Sequence, residues 1–248
     1  MDRKIRVAAV SYLNTKPLTY GFEKGQMAVQ MELIFEYPAK VAAMLLNDEV
    51  DIGLIPVAVI PKLKEHHIIS DYGIGATGEV ASVCLFSNVP IEEIQSVYLD
   101  YQSRTSVALL KILLKKYWKI SPELIAAEAG YEEKVSGTVA GLVIGDRAFK
   151  QRKKSTYMYD LATAWKEMTG LPFLFAAWVS NKKLPADFIA NFNKATSLGL
   201  NHIDEIVAQN KYEDYDLHQY YTENINYVLD EKKREALTLF LQLLSSNE

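Results

Sequence analysis

The chain is poor in cysteine and histidine, carries no excess of positive charge and contains no long apolar run. Its one cysteine, Cys84, excludes an intramolecular disulfide and agrees with a reducing compartment. Lys plus Arg number 27 against 31 Asp plus Glu, a net charge of -4, so no basic field exists to hold nucleic acid or an anionic membrane. No run of about 18 apolar residues occurs, which excludes a transmembrane helix. The run Ile5–Val10 is too short for the core of a secretory signal, and Asn14, Lys16 and Pro17 follow it at once. A cytoplasmic protein is expected. Of the four histidines, His66-His67 falls in a polar stretch after Pro61 that reads as exposed, and His202 and His218 lie far along the chain. No HExxH, paired cysteines or clustered carboxylates mark a metal site. No P-loop, no GxGxxG after a strand and no GxSxG elbow occur, so neither a nucleotide cofactor nor a serine-hydrolase nucleophile is indicated.

What is present is ordinary for a globular protein: 248 residues, 49% hydrophobic and 23% charged, enough for one large domain or two small ones. The first half alternates short apolar runs with helical periodicity. Strands are expected at Ile5–Val10, Met31–Glu36, Asp51–Val57 and Val80–Phe86. Helices are expected to open at Pro17 and Pro38, where a missing N–H costs nothing. After Asn88-Val89-Pro90 the pattern restarts, with a strand at Ser96–Leu99, a strong helix at Arg104–Trp118 and a strand at Ala140–Ile144. The run Phe173–Val179 is long enough to lead the chain back, and Pro185–Glu248 reads as helical. The expectation is an α/β protein of two lobes with parallel sheets. Residues 1–90 and 175–248 would form the first lobe and 91–174 an inserted second, with a ligand cleft between them.

In open α/β sheets ligands sit beyond the carboxyl ends of strands. Four segments meet that condition. Ser11-Tyr12-Leu13-Asn14-Thr15-Lys16-Pro17-Leu18 gathers hydroxyls, an amide and a cation ahead of a helix, although such residues also cap turns. Gly78-Glu79-Val80-Ala81-Ser82-Val83 places a hydroxyl in an apolar strand, where it could equally bond a neighbouring carbonyl. Ser103-Arg104-Thr105-Ser106 precedes the strong helix, whose N-terminus favours carboxylates and phosphates; Arg104 adds a two-pronged donor, or else is solvated. Gly145-Asp146-Arg147 follows a buried strand; its glycine permits close approach and its Asp146 could merely cap. From spacing alone these residues describe a two-lobed binder of a small anion, and a binding module and an enzyme stay equally open.

The first of these segments resembles the chorismate dehydratases of the futalosine route to menaquinone. The segments at Gly78–Val83 and Ser103–Leu110 and the stretch Thr169-Gly170-Leu171-Pro172-Phe173 agree, in order, over residues 5–180 or so. Asp146-Arg147 is a looser match. The resemblance implies a fold like type II periplasmic binding proteins and a hydro-lyase that turns chorismate into 3-[(1-carboxyvinyl)oxy]benzoate. It implies no metal and no organic cofactor. It makes Asn14 and Ser82 the catalytic positions; from the strand-end segments, Ser11, Tyr12, Ser103, Arg104, Thr105, Ser106, Gly145 and Asp146 are expected to bind the substrate. No evident general base lies in these segments, Glu79 being the nearest acid, so the enolpyruvyl carboxylate of the substrate is expected to take the C3 proton. Two alternatives stand beside this reading. One is an enzyme like the 1,4-dihydroxy-6-naphthoate synthase of the same pathway, expected to carry a cleft histidine. The other is a non-catalytic binder of an aromatic acid. Partner chains and oligomeric state are not legible.

Overall fold

The computed structural model describes residues 3–246. In chain order the strands are β1 (Ile5–Val10), β2 (Met31–Glu36), β3 (Ile52–Pro56), β4 (His67–Ala76), β5 (Val83–Ser87), β6 (Ser96–Leu99), β7 (Glu123–Ala126), β8 (Val139–Ile144), β9 (Tyr157–Asp160), β10 (Phe173–Ser180) and β11 (Asn226–Val228). They form two sheets, a six-stranded one in the order β11-β4-β10-β3-β1-β2 and a five-stranded one in the order β7-β6-β8-β5-β9. The helices are α1 (Lys16–Glu23), α2 (Pro38–Leu46), α3 (Thr105–Leu113), α4 (Asp146–Arg152), α5 (Leu161–Thr169), α6 (Ala186–Leu198), α7 (Ile203–Gln209), α8 (Leu217–Gln219) and α9 (Glu231–Ser245). Among the described residues no helix is long and apolar enough to cross a membrane.

The central strands β3, β8 and β10 are apolar on successive residues because helices or the other sheet cover both their faces. Pro17 and Pro38 stand in the first turns of α1 and α2, as their geometry favours. The core of the first sheet is aromatic. Trp178 meets Phe22 and Phe192 edge-on, and Trp165 meets Phe173 and Phe240. The chain changes sheet between Ala76 and Val83 and changes back at Phe173. The first change therefore precedes residue 90, where a new lobe was expected to begin. Met1, Asp2, Asn247 and Glu248, assigned to the first lobe from the sequence, lie outside the described residues.

Three expectations need correction. The sheets are mixed rather than parallel: β10 runs antiparallel to β3 and β4, and β5 antiparallel to β8 and β9. The stretch after His66 is not simply a polar loop but enters β4. Its glycines look like breakers yet are required by close packing, since a Cβ on Gly73 would lie 2.6 Å from the Ala176 carbonyl and one on Gly75 2.8 Å from that of Phe173. Finally, the chain beyond Pro185 is not all helical. It supplies the edge strand β11 and a widened turn at Tyr220–Asn224.

Candidate active site

A cavity lies between the two sheets, at the carboxyl ends of β1, β3 and β8 and the amino end of α3. Tyr12, Asn14, Ser82, Ser103, Thr105 and Ser106 give it its polar lining, while Val10, Ile74, Val83, Ile144 and Phe175 are among its apolar walls. Gly145 and Ala176 also border it. The free space is about 60 Å³. Among the described residues no carboxylate, histidine, lysine or arginine lines the cavity. The donors are neutral: hydroxyls, one amide and the N-terminal N–H groups of α3, which helical geometry leaves without intrahelical acceptors.

Asn14 sits in a tight turn at Leu13–Thr15, fixed because the Tyr227 hydroxyl donates to its carbonyl at 3.1 Å. Its side-chain oxygen accepts from the Thr15 hydroxyl at 3.3 Å. Ser82 is fully buried but is not in a strand, since β5 begins at Val83. It follows Ala81, which is held in the left-handed region at φ 64°. Such a conformation is costly for a residue with a Cβ and persists only when its surroundings enforce it. The enforcing group is Asp160: one carboxylate oxygen accepts from the N–H groups of Val80 and Ala81 at 3.0 and 2.9 Å, and the other caps α5 through Ala162 and Thr163. Burial lifts the Asp160 carboxyl above its ordinary range, and these N–H groups pull against that shift.

Tyr220 supports Ser82. Its hydroxyl donates to Ser82 Oγ at 2.7 Å. The ring is fully buried against Phe149, and burial keeps the phenol protonated by raising its pKa well above the usual value. Because Ser82 Oγ accepts this bond, its own hydrogen stays available for a ligand. Sequence reasoning missed Tyr220, together with Tyr227 under Asn14 and Tyr212, whose hydroxyl donates to the Asp146 carbonyl at 2.8 Å. All three lie in the tail, where nothing in the local pattern marks a tyrosine as anything but core.

At α3, Ser103 Oγ accepts from the Ser106 N–H at 3.1 Å and caps the helix. Thr105 Oγ1 accepts from the Ala58 N–H at 3.1 Å, tying the start of α3 to the turn after β3. These three residues line the cavity; Arg104, between them in sequence, does not. It is exposed and lines a separate groove, because the helix turns its side chain onto another face. Ser11 is also exposed and away from the cavity, its N–H bonded to Glu36. Glu79 pairs with Arg152 at 2.8 Å and does not line the cavity.

Gly145 adopts φ 64° and ψ -151°, and the Tyr12 ring lies over it. The Tyr12 hydroxyl donates to Gln102, bridging the first-sheet loop to the second-sheet side. Asp146 makes a parallel bridge without lining the cavity: its carboxylate accepts from the Leu13 N–H at 3.2 Å. Arg147 is engaged elsewhere, paired with Asp100 and Glu132, each at 2.6 Å.

Burial raises the Asp146 carboxyl from 3.8 to about 6, against the opposing pull of the Leu13 N–H, Arg147 and Lys16. A raised carboxyl pKa means that ionisation opposes folding. The stability present below pH 3.8 is therefore lost as pH rises through about 6. Asp146→Asn, which keeps an acceptor for Leu13, removes this dependence. Between those two pH values the stability of the native chain is expected to fall relative to the variant by on the order of 2–3 kcal/mol, read from urea titrations. Parallel pH–stability curves would contradict it.

The signature of a family described as menaquinone biosynthesis matches residues 5–246. The chain belongs to this menaquinone-biosynthesis family. The family member is 30% identical over 231 residues to a chorismate dehydratase of Thermus thermophilus, covering 84% of each chain. It is 28% identical over 241 residues to a chorismate dehydratase of Campylobacter jejuni, covering 94% of each. Among solved structures, a protein of Archaeoglobus fulgidus superposes with a TM-score of 0.78 at 17% identity, over 98% of this chain and 97% of that one. A Candida albicans protein described as having the generic periplasmic binding protein fold gives 0.60 at 14% identity, over 99% and 96% of the two chains. These likenesses show that this menaquinone-biosynthesis protein has the periplasmic-binding-protein-like fold expected from its sequence.

Proposed function

We propose that the chain dehydrates chorismate to 3-[(1-carboxyvinyl)oxy]benzoate, with Asn14 and Ser82 acting on the substrate. The relatives named chorismate dehydratase support the reaction. The observation that carries the mechanism is the cavity's lining, in which several hydrogen-bond donors converge and, among the described residues, no side chain is a base near neutral pH. Such a site orients and polarises; it does not abstract a proton.

The elimination then proceeds within the substrate. The enolpyruvyl carboxylate takes the proton from C3, the C3–H electrons form the new C3–C4 double bond, and the C4 hydroxyl departs. The carboxylic acid so formed returns its proton to the leaving hydroxyl, and water results. Aromaticity of the product ring supplies the driving force. Ser82, its Oγ already loaded by Tyr220, donates to substrate oxygen. Asn14 donates through its amide to the ring's departing hydroxyl. The α3 amino end, with Ser103, Thr105 and Ser106, takes the ring carboxylate without a cation. Tyr12 and Gly145 set the depth of the pocket.

Free space of about 60 Å³ is far below the roughly 300–1,000 Å³ of ordinary ligand pockets. Substrate therefore enters with the two sheets further apart, and their closure through Tyr12–Gln102 and Leu13–Asp146 excludes water. This division into two moving lobes, and a cytoplasmic site of action, belong to the same proposal. Incubating the purified chain with chorismate and following the mixture by mass spectrometry tests the reaction. A product lighter by one water, co-eluting with 3-[(1-carboxyvinyl)oxy]benzoate, is expected. Chorismate bound but recovered unaltered would leave a binding protein instead.

A further inference from the structure

A second concavity lies on the face of α3 that carries Arg104. It is a groove of about 490 Å³, within the ordinary range for a small-molecule site. Its floor is apolar. Ala39, Ala43 and Leu46 of α2 form one wall, Val107 and Ile112 of α3 the other, and Leu244 of α9 closes an end. Leu46 is 39% exposed there, a large apolar side chain left facing water. The alanines keep the groove deep, and among the described residues no aromatic ring lines it.

Its charge is one-sided. Lys62, Arg104 and Lys111 border it, and among the described residues no acidic one does. This is unusual for a chain of net charge -4. Among the described residues Arg3, Arg6, Arg147, Arg152 and Arg234 all stand in ion pairs. Within the same set Arg104 has none, and neither Lys62 nor Lys111 has a carboxylate partner. Arg104, the N-cap of α3, and Lys111 are seven residues apart, so they and Val107 lie along one face. An apolar trough bordered by cations without partners is complementary to a molecule with an apolar chain and an anionic head. The guanidinium of Arg104 suits the two oxygens of a carboxylate.

We propose that this groove binds a medium-chain alkyl carboxylate, its chain along the α2–α3 floor and its head between Lys62, Arg104 and Lys111. The site is separate from the cleft, whose α3 contributions are Ser103, Thr105 and Ser106.

The test is calorimetric titration of the full chain with decanoate, which requires no turnover and so stands apart from the chorismate reading. Saturable one-to-one binding with a Kd below about 1 mM is expected. The double variant Lys62→Gln/Lys111→Gln should weaken it at least about tenfold, the loss of one or two charge-assisted contacts. Butyrate, too short to cover the floor, should bind at least about tenfold more weakly by lost apolar area. Asn14→Asp should leave decanoate binding unchanged. The proposal is overturned if no saturable binding occurs, or if the lysine variant binds equally well. It is overturned too if butyrate matches decanoate, or if Asn14→Asp abolishes binding and so places decanoate in the cleft.

Discussion

Asn14→Asp is expected to lower kcat/KM for chorismate about 10³-fold while the melting temperature stays close to that of the native chain. Two lines of reasoning agree on the size. Removing a donor aimed at developing charge costs roughly 10²–10³ in rate. A new carboxylate about 4 Å from a substrate carboxylate costs about 4 kcal/mol at an effective dielectric near 20, again about 10³-fold. The fold tolerates the change, because Asn14 makes its structural bonds through its carbonyl to Tyr227 and through a side-chain oxygen that Asp also supplies to Thr15. Activity of the variant should rise again as the pH is lowered and the new carboxyl is neutralised. Steady-state rates across pH, with thermal melts, decide the matter. A variant within about tenfold of the native rate at neutral pH would remove Asn14 from the chemistry.

Gly145→Ala is expected to damage both stability and turnover. The backbone there, at φ 64° and ψ -151°, is a conformation that residues with a Cβ avoid. The added Cβ would also lie 2.8 Å from Tyr12 Cε2 and 2.9 Å from Cδ2. Strain and overpacking together cost about 3 kcal/mol, a fall in Tm of about 9 °C for a chain this size. The ring cannot yield without loosening the Tyr12–Gln102 bridge, so kcat/KM should fall about 10²-fold. Gly130→Ala is the control for strain alone. Gly130 has φ 85° and open space where a Cβ would stand, so its replacement should cost about 1 kcal/mol and no activity. Equal effects at the two glycines would show that Tyr12 does not depend on Gly145.

The α/β organisation was legible because buried strands such as Ile5–Val10 and Phe173–Ser180 announce themselves as apolar runs, and Pro17 and Pro38 mark helix starts. The strands that escaped notice lack that signal. β4 contains Ser70, Asp71, Gly73 and Gly75, which serve a contact with Asn193 of α6 and close packing rather than strand propensity. Four cavity-lining segments could be read from strand ends. Arg104 could not be placed correctly, because spacing shows where a helix begins but not which face a neighbour will cover. Asp160 was open to discovery, as an Asp preceding Leu161–Thr169 has the form of a cap, although its second duty of holding Ala81 depends on tertiary contact. Tyr220 and Tyr227 reach Ser82 and Asn14 across more than a hundred residues of sequence. No local periodicity encodes such a bond.

The central claim is that the substrate brings its own base into a cavity of neutral donors. The most direct measurement uses chorismate whose enolpyruvyl carboxylate is converted to the methyl ester, the ring carboxylate being kept. With the native chain this analogue should bind the cleft and compete with chorismate, yet release no water over the time in which chorismate is fully consumed. Dehydration of the ester at a rate comparable to that of chorismate would mean that a protein group removes the C3 proton, and the account would fail.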